Sequence, residues 1–562
     1  MKKETKSLSV CSKSRSFHYS AVCKLILILF FAFFVIMPLI RMLFYINADS
    51  IGRVISGSLF VPAVINSIKV ALISTVIALI LAYALAVCVE RSGIKFAGFW
   101  NIILILPMLI PSISHGMGLI VLLGNNGIIT RLFGLSWNIY GMWGIVIGSV
   151  MYAFPVAFLM IRDVLKYEDR SPYEAAEILG IPKWRQFTAI TVPYLRKPLI
   201  SVIFAVFTMV VTDYGVPLIV GGKFSTIPVV MYQEVIGQLD FGKGAVYGVI
   251  LLIPAVIAFV FDLLNKDRGN SSFVRREFES GRGRLKRISA YIFCGSVSVC
   301  VLLPIVAFVI LGFAENYPGN LTFTLENISR TFNLGAGRYL LNSVIIAVLV
   351  SVIGVVISFV TAYFTARVKS GASRFLHLIA ITSAAIPGIV LGLSYVIVFK
   401  GSFIYGTIAI LIMVNIIHFI ASPYIMMYNS LGKINCNLEA VGETLGVGRL
   451  RMVKDVFIPQ CSLTICEMFS YFFVNCMMTI SAVSFLATTS NKPAALMINQ
   501  FEAQTQLECA AVISLLILMI NILLKFVLYI IKKLMSKTRI ANFAAADTVK
   551  SVPEEKALSL SR

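Results

Sequence analysis

Apolar runs of about twenty residues recur along the whole chain, and each is long enough to cross a hydrocarbon core of about 30 Å as a helix. In lipid a spanning segment must satisfy its own backbone, so only helices and closed barrels are possible. The alternation of membrane barrel strands is absent. The expected fold is therefore all-α, a polytopic helical membrane protein. Spans are expected at 25–45, 66–88, 98–123, 139–161, 199–221, 244–265, 289–314, 342–366, 375–399, 406–428, 463–488 and 508–531, about twelve in all. Composition agrees: 59% of residues are hydrophobic and only 13% charged, against about 25% charged in soluble domains.

A net charge of +22 raises the question of nucleic acid. With the N-terminus inside, the cytosolic segments hold 37 of the 48 Lys and Arg and the external ones hold 8. That asymmetry orients a protein in a bilayer, so the basicity points to lipid and no nucleic-acid partner is expected. The ten cysteines form no CxxC pair and have no zinc-like histidine spacing, so no metal site is expected. The first apolar run is too long for a signal-peptide core and reads as an uncleaved helix.

The chain repeats itself. Asn66-Ser67 opens one apolar run and Asn342-Ser343, 276 residues on, opens another; each Asn suits an N-cap, and each run ends on a basic residue near a Ser-Gly. The next run of each half contains proline, Pro107 and Pro111 or Pro387, which predicts matched kinks. Two parallel six-helix repeats follow: 25–265 (core 60–265) and 289–531 (core 338–530). Around them lie a basic cytosolic tail at 1–24, a basic linker at 266–288 and a polar tail at 532–562 that is expected to be disordered.

One polar stretch occurs in both halves. Ser171 to Pro193 reads SPYEAAEILGIPKWRQFTAITVP, and Asn437 to Pro459, 266 residues on, reads NLEAVGETLGVGRLRMVKDVFIP. Glu177/Glu443, Leu179/Leu445, Gly180/Gly446, Arg185/Arg451 and Pro193/Pro459 are identical. Ser171 to Glu174 has the spacing of a capping box with proline at the first helical position. Gly180 suits a left-handed helix end, so each copy predicts a helix–turn–helix elbow, with Ala175 and Ala176 as a small-residue face open to another protein's backbone. An even number of helices puts both elbows on the cytosolic side.

Glu174-Ala175-Ala176, three residues, Gly180, nine residues and Ile190-x-Val192-Pro193 resemble the signature loop of binding-protein-dependent ABC importer permeases, the MetI-like inner-membrane subunits. The second copy departs: Ala440 stands at the Glu position, Glu439 comes one residue early, and Val441 and Gly442 replace the alanines. The resemblance implies that the elbows are coupling helices docking on two ATPase subunits, through Glu174, Ala175, Ala176, Glu177, Gly180 and Pro193 and through Glu439, Ala440, Glu443, Gly446 and Pro459. No G-x-x-x-x-G-K-[ST] occurs: Gly222-Lys223, Gly242-Lys243 and Gly432-Lys433 are followed by Phe, Gly and Ile. The chain cannot build that phosphate cradle. It is expected to be no enzyme and to carry no cofactor, with ATP and magnesium bound by the partner. A soluble substrate-binding protein is expected on the external face, a plasma (inner) membrane location, and both termini in the cytosol. Residues 212–259 and 479–498 look most like the 2-aminoethylphosphonate branch, with ferric iron next and thiamine as a further fused type.

Within the membrane, Asp213 is a functional candidate by virtue of its charge. The shift of 266 sets it against Thr479, with Asn475 a turn earlier, so these three are pathway candidates; an interhelical structural bond is the competing role. His115 and His418 do not correspond between the repeats and read as packing residues. Two rivals differ in class. An ion-coupled secondary transporter needs paired intramembrane acids, and only Asp213 is central. An intramembrane enzyme needs a nucleophile with a base, and neither G-x-S-x-G nor H-E-x-x-H occurs.

Overall fold

The structure, a computed structural model, describes residues 21–134, 137–265, 283–368 and 370–550. Most of the expected N-terminal tail, most of the linker and residues 551–562 lie outside the described residues. Among the described residues nine helices are long and apolar enough to cross a membrane, and three bent helix pairs bring the number to twelve. The only strands there are a short hairpin, Ala314–Asn316 with Asn320–Phe323.

The proline spans are broken rather than kinked. Helix Ala97–Ile105 passes through a 3-10 turn, Leu106–Leu109, and a new helix begins at Ser112. Its counterpart breaks between Gly371–Ala385 and Gly388–Phe399, which meet at 108°. A proline ring disfavours the α conformation in the residue before it. Ile110 and Ile386 accordingly turn extended, at φ −118°, ψ 149° and φ −95°, ψ 114°.

Asn66 and Asn342 are not N-caps. Their helices begin earlier, as Phe60–Arg91 and Ala336–Ala366. The two Asn-Ser pairs clamp a later loop of the same half instead. Asn66 Nδ2 donates to Ser225 O at 3.1 Å, and Asn342 Nδ2 to Ser490 O at 3.2 Å. The following serine oxygen accepts from a backbone N–H, Ile227 onto Ser67 at 2.8 Å and Ala494 onto Ser343 at 2.7 Å.

The halves interlock. The first helix, Ala21–Phe44, lies against Gly388–Phe399 of the other half, where Tyr395 Oη donates to Phe34 O at 2.9 Å. In return Arg284–Phe313 lies against Ser112–Leu123, where Gly118 admits Pro304: a Cβ on that glycine would stand 2.7 Å from the proline Cβ. Asn521 closes the exchange by donating to Leu109 O, freed by the proline break, at 2.9 Å.

Polar bonds sort the loops by end. Arg91–Glu168, Lys24–Val368 O, Arg367–Glu439 and Lys532–Glu467 tie one end together. Arg53–Asp240, Tyr317–Glu508 and Asn342–Ser490 tie the other. Both elbows lie at the first end. The last helix runs from Leu507 to Lys550, so the tail expected to be disordered from 532 is helical to that point. Ala541, Ala544, Ala545 and Ala546 supply the reason, alanine being the best helix former.

Candidate functional site: two matched elbows and the seam between the halves

Each elbow is a short helix, a left-handed glycine and a second short arm. The first helix is Ser171–Ile178 and its match Leu438–Thr444. Gly180 at φ +66° and Gly446 at φ +70° end them. Ile181 N donates to Ala176 O at 2.9 Å, and Val447 N to Gly442 O at 2.8 Å, the long bond of a Schellman end. A Cβ on either glycine would meet nothing within 4 Å. The glycines are there for their φ, not for room. The expected capping box does not form: Ser171 is itself helical, and its N–H and hydroxyl both donate to Asp169 Oδ1, at 3.1 and 2.9 Å.

The second arms, Lys183–Gln186 and Arg449–Met452, run into matched π turns, Phe187–Thr191 and Val453–Phe457. Pro193 and Pro459 follow within two residues. A proline has no N–H to return to the carbonyl four residues back, and insertions in the α ladder favour such places.

Burial revises which side chains face outward. Ala176 is buried, and so is its counterpart Gly442, where a Cβ would stand 2.1 Å from Met452 Sδ. These small residues let the elbow's two arms close on each other and offer no surface to a partner; Ala175 remains exposed. Among the exposed side chains are several large apolar ones. Leu179 and Leu445 are 74% and 73% exposed, Trp184 and its match Leu450 72% and 87%. The motif did not single out these exposed apolar residues. Their signal was a large apolar residue at matched positions in a polar stretch.

Each elbow is roped to the membrane helices by an arginine at a matched position. Arg91, at the end of Phe60–Arg91, pairs with Glu168 and lies 5.6 Å over the Tyr173 ring, whose hydroxyl donates to Glu168 at 2.5 Å. Arg367 pairs with Glu439, Nε to Oε1 at 2.5 Å, and donates to the carbonyls of Leu431, Ile434 and Asn435. It lies 5.2 Å over the Phe457 ring. Glu439 occupies the position of Tyr173, and Ile434 that of Glu168. The early glutamate of the second copy therefore pairs with its own arginine.

The pathway candidates sit at a second pair of breaks. Asp213 is not inside a helix: Val192–Thr212 ends before it, and Ser462–Met478 ends before Thr479, with ψ 132° and 135° at the two caps. Short polar side chains compete for backbone N–H groups and so favour such ends. The Asp213 carboxylate accepts from Gly215 N at 3.3 Å and Val216 N at 3.1 Å, and a Ser112 bond completes it. It thereby caps the next short helix, Gly215–Val220, where a negative charge is favoured. Asn475 donates to Tyr471 O in its own helix at 2.8 Å. No bond among the described residues joins Asp213 to Asn475 or Thr479. The loops just beyond them do meet across the halves: the Tyr214 hydroxyl bonds Ser484 Oγ, and a Cβ on Gly215 would stand 2.8 Å from Ile480 Cδ1. His115 bonds Pro107 O at 3.1 Å, while Gly388 makes room for His418, whose Nε2 would stand 2.9 Å from a Cβ there.

The family model for the binding-protein-dependent transport system inner membrane component matches residues 74–267 and again 354–537, once in each half. The chain belongs to that family. The putative ferric transport system permease protein FbpB 1 of Haemophilus influenzae is 25% identical over 496 residues, covering 84% of this chain and 78% of that one. The ferric transport system permease protein FbpB of Actinobacillus pleuropneumoniae is 25% identical over 514 residues, covering 86% and 74%. The thiamine transport system permease protein ThiP of Haemophilus influenzae matches more locally, at 26% over 164 residues, 27% of this chain and 30% of that one. These relatives favour the iron alternative over the phosphonate branch expected from wording along two segments.

Proposed function

We propose that this chain is the membrane-spanning subunit of an ATP-driven importer whose cargo is ferric iron delivered by an external binding protein. One observation carries the importer reading. Two elbows at the same end, each roped to its own helix bundle, present large apolar side chains outside the membrane. A monomer gains nothing by exposing tryptophan and leucine there, whereas a docking groove covers them. ATPase subunits gripping the elbows from the cytosol would draw them together. The ropes at Arg91 and Arg367 would pass that motion to the helices, and the interlocked halves would rock about the seam at Tyr214 and Ser484.

Similarity along most of both chains to two ferric permeases supports the cargo. The test is uptake of radioactive ferric iron by cells that carry or lack this chain, with its binding protein and ATPase present. Iron uptake that needs the chain, fails without ATP and survives collapse of the ion gradients is the expected result. Uptake of 2-aminoethylphosphonate in place of iron would return the cargo to the phosphonate branch. Uptake that follows the ion gradients would replace the importer with a secondary transporter.

A further inference from the structure

Behind the second elbow lies a cavity of about 640 Å³. Its wall carries three cations, Arg367, Lys433 and Arg449, against one anion, Glu439. Glu439 is spent on Arg367. Arg449 has Glu443 at 3.5 Å, but both side chains are about half exposed, at 45% and 58%, and such a pair holds little. Among the described residues Lys433 has no ion-pair partner. A further ammonium stands nearby: Lys24, within electrostatic reach of Arg449, is held by Val368 O and Ser370 Oγ at 2.9 Å each, neither of them a counter-charge. The matched first-half positions are built differently. Ala366 and Tyr428 stand where Glu90 and Arg162 pair at 2.5 Å, and Ile434 where Glu168 pairs with Arg91. In the second half the Glu90–Arg162 pair has no counterpart and Arg367 turns to Glu439, which leaves Lys433 and the weakly paired Arg449 lining the open space.

We infer that this cavity is a site for a phosphate-bearing anion, whose phosphoryl group is held between Lys433 and Arg449 and whose attached ring or chain lies along Tyr363 and Tyr428. Lysine and arginine lining a partly aromatic cavity suit a phosphate ester, and the volume lies in the range of small-molecule sites. Lys433 follows the helix Ala421–Gly432 and Arg449 opens the elbow's second arm. An occupant thus braces the elbow against the bundle on one side of the transporter only. The inference stands apart from the cargo, because the cavity lies at the elbow end and not at the seam.

The ester's source is either a soluble metabolite or an anionic lipid headgroup. The purified full chain, free of its ATPase and of phospholipid, is titrated with AMP in detergent micelles by calorimetry. It is also reconstituted in phosphatidylcholine nanodiscs with or without phosphatidylglycerol, and retained lipid is counted by mass spectrometry. Lys433→Gln with Arg449→Gln is expected to weaken the binding at least tenfold and leave the thermal midpoint without ligand unchanged. Tyr167→Gln with Lys183→Gln, at the matched first-half positions, is expected to leave binding as it was. AMP binding in micelles identifies a soluble ester, and retention of phosphatidylglycerol alone identifies a headgroup. Binding of neither, or equal binding by the Lys433/Arg449 variant, overturns the site.

Discussion

Replacing Glu439 by alanine tests whether the second elbow is held by its early glutamate. The Arg367 side chain is 5% exposed and that of Glu439 30%. Removing one partner of a fully buried pair costs about 3–5 kcal/mol, while an exposed pair contributes about 0–1 kcal/mol. Here the guanidinium keeps three carbonyl acceptors and the Phe457 ring, and water can reach the vacated acid position. The expected cost falls between the two limits, at about 2 kcal/mol, or about thirty-fold in an opening equilibrium. Local opening of that size is read by amide hydrogen exchange. The amides of Leu438–Thr444 should exchange about thirty-fold faster in Glu439→Ala, with those of Ser171–Ile178 unchanged. Adding Ala440→Glu puts a glutamate at the family position, which is exposed, and should restore nothing. Wild-type exchange in the single variant, or recovery in the double one, would refute the inward role of Glu439.

Gly180→Ala and Gly446→Ala should each cost about 1 kcal/mol through left-handed strain, read as a lower thermal midpoint; Gly442→Val should cost more, because its side chain meets Met452. Trp184→Ala with Leu450→Ala should leave the unfolding free energy of the isolated chain within about 0.5 kcal/mol of wild type, as surface changes do, and abolish uptake; unimpaired uptake would remove these side chains from the docking surface. Asp213→Asn retains an acceptor for Gly215 N and Val216 N and should insert and fold, whereas Asp213→Leu strips the cap and should cost about 1 kcal/mol or more of stability, read as a lower midpoint. Burial raises the Glu502 carboxyl above its ordinary value, so the folded state binds that proton more tightly and loses stability as pH rises through the raised pKa. Glu502→Gln should therefore raise the midpoint at neutral pH, with the gain vanishing below the unfolded carboxyl pKa.

The helix count, the duplication and the pair of elbows were legible because they rest on long apolar runs and on residue identity at a constant shift. What the sequence hid was where those runs stop. Asp213 and Thr479 sit inside apolar stretches that a span of about twenty residues absorbs, yet both stretches end there; hydropathy averages over a single capping residue. Asn66 and Asn342 misled for the opposite reason. An asparagine before an apolar run looks like a cap, but the helices had begun six residues earlier, at Phe60 and Ala336, and the side chains were committed to a loop about 150 residues away. Ala176 was read from the motif, with Ala175, as a face for a partner, when at Ala176 and its counterpart Gly442 the nearer demand was room for the elbow's own second arm. Contacts between segments far apart in the chain leave no local periodicity to read.

The two halves keep one geometry by exchanging residues across matched contacts. In the first half Ser112 lies against Gly215, its Oγ 2.5 Å from where a Cβ would stand; in the second Gly388 lies against Ser481, whose Oγ would stand 2.4 Å from its Cβ. Those positions correspond under the shifts of 276 and 266, so the large and small partners have traded places while the sum is conserved. Close packing allows little else, since a second serine in either pair would force the breaks at Pro111 and Pro387 apart. The arginine ropes follow the same logic: the cation stays at 91 and 367, and the acid moves from 168 to 439. Divergence at the second elbow is then a change of partner with the tie retained. Beside that tie the charge does change: Lys433 stands where the first half has Tyr167, and Ala366 and Tyr428 replace the Glu90–Arg162 pair.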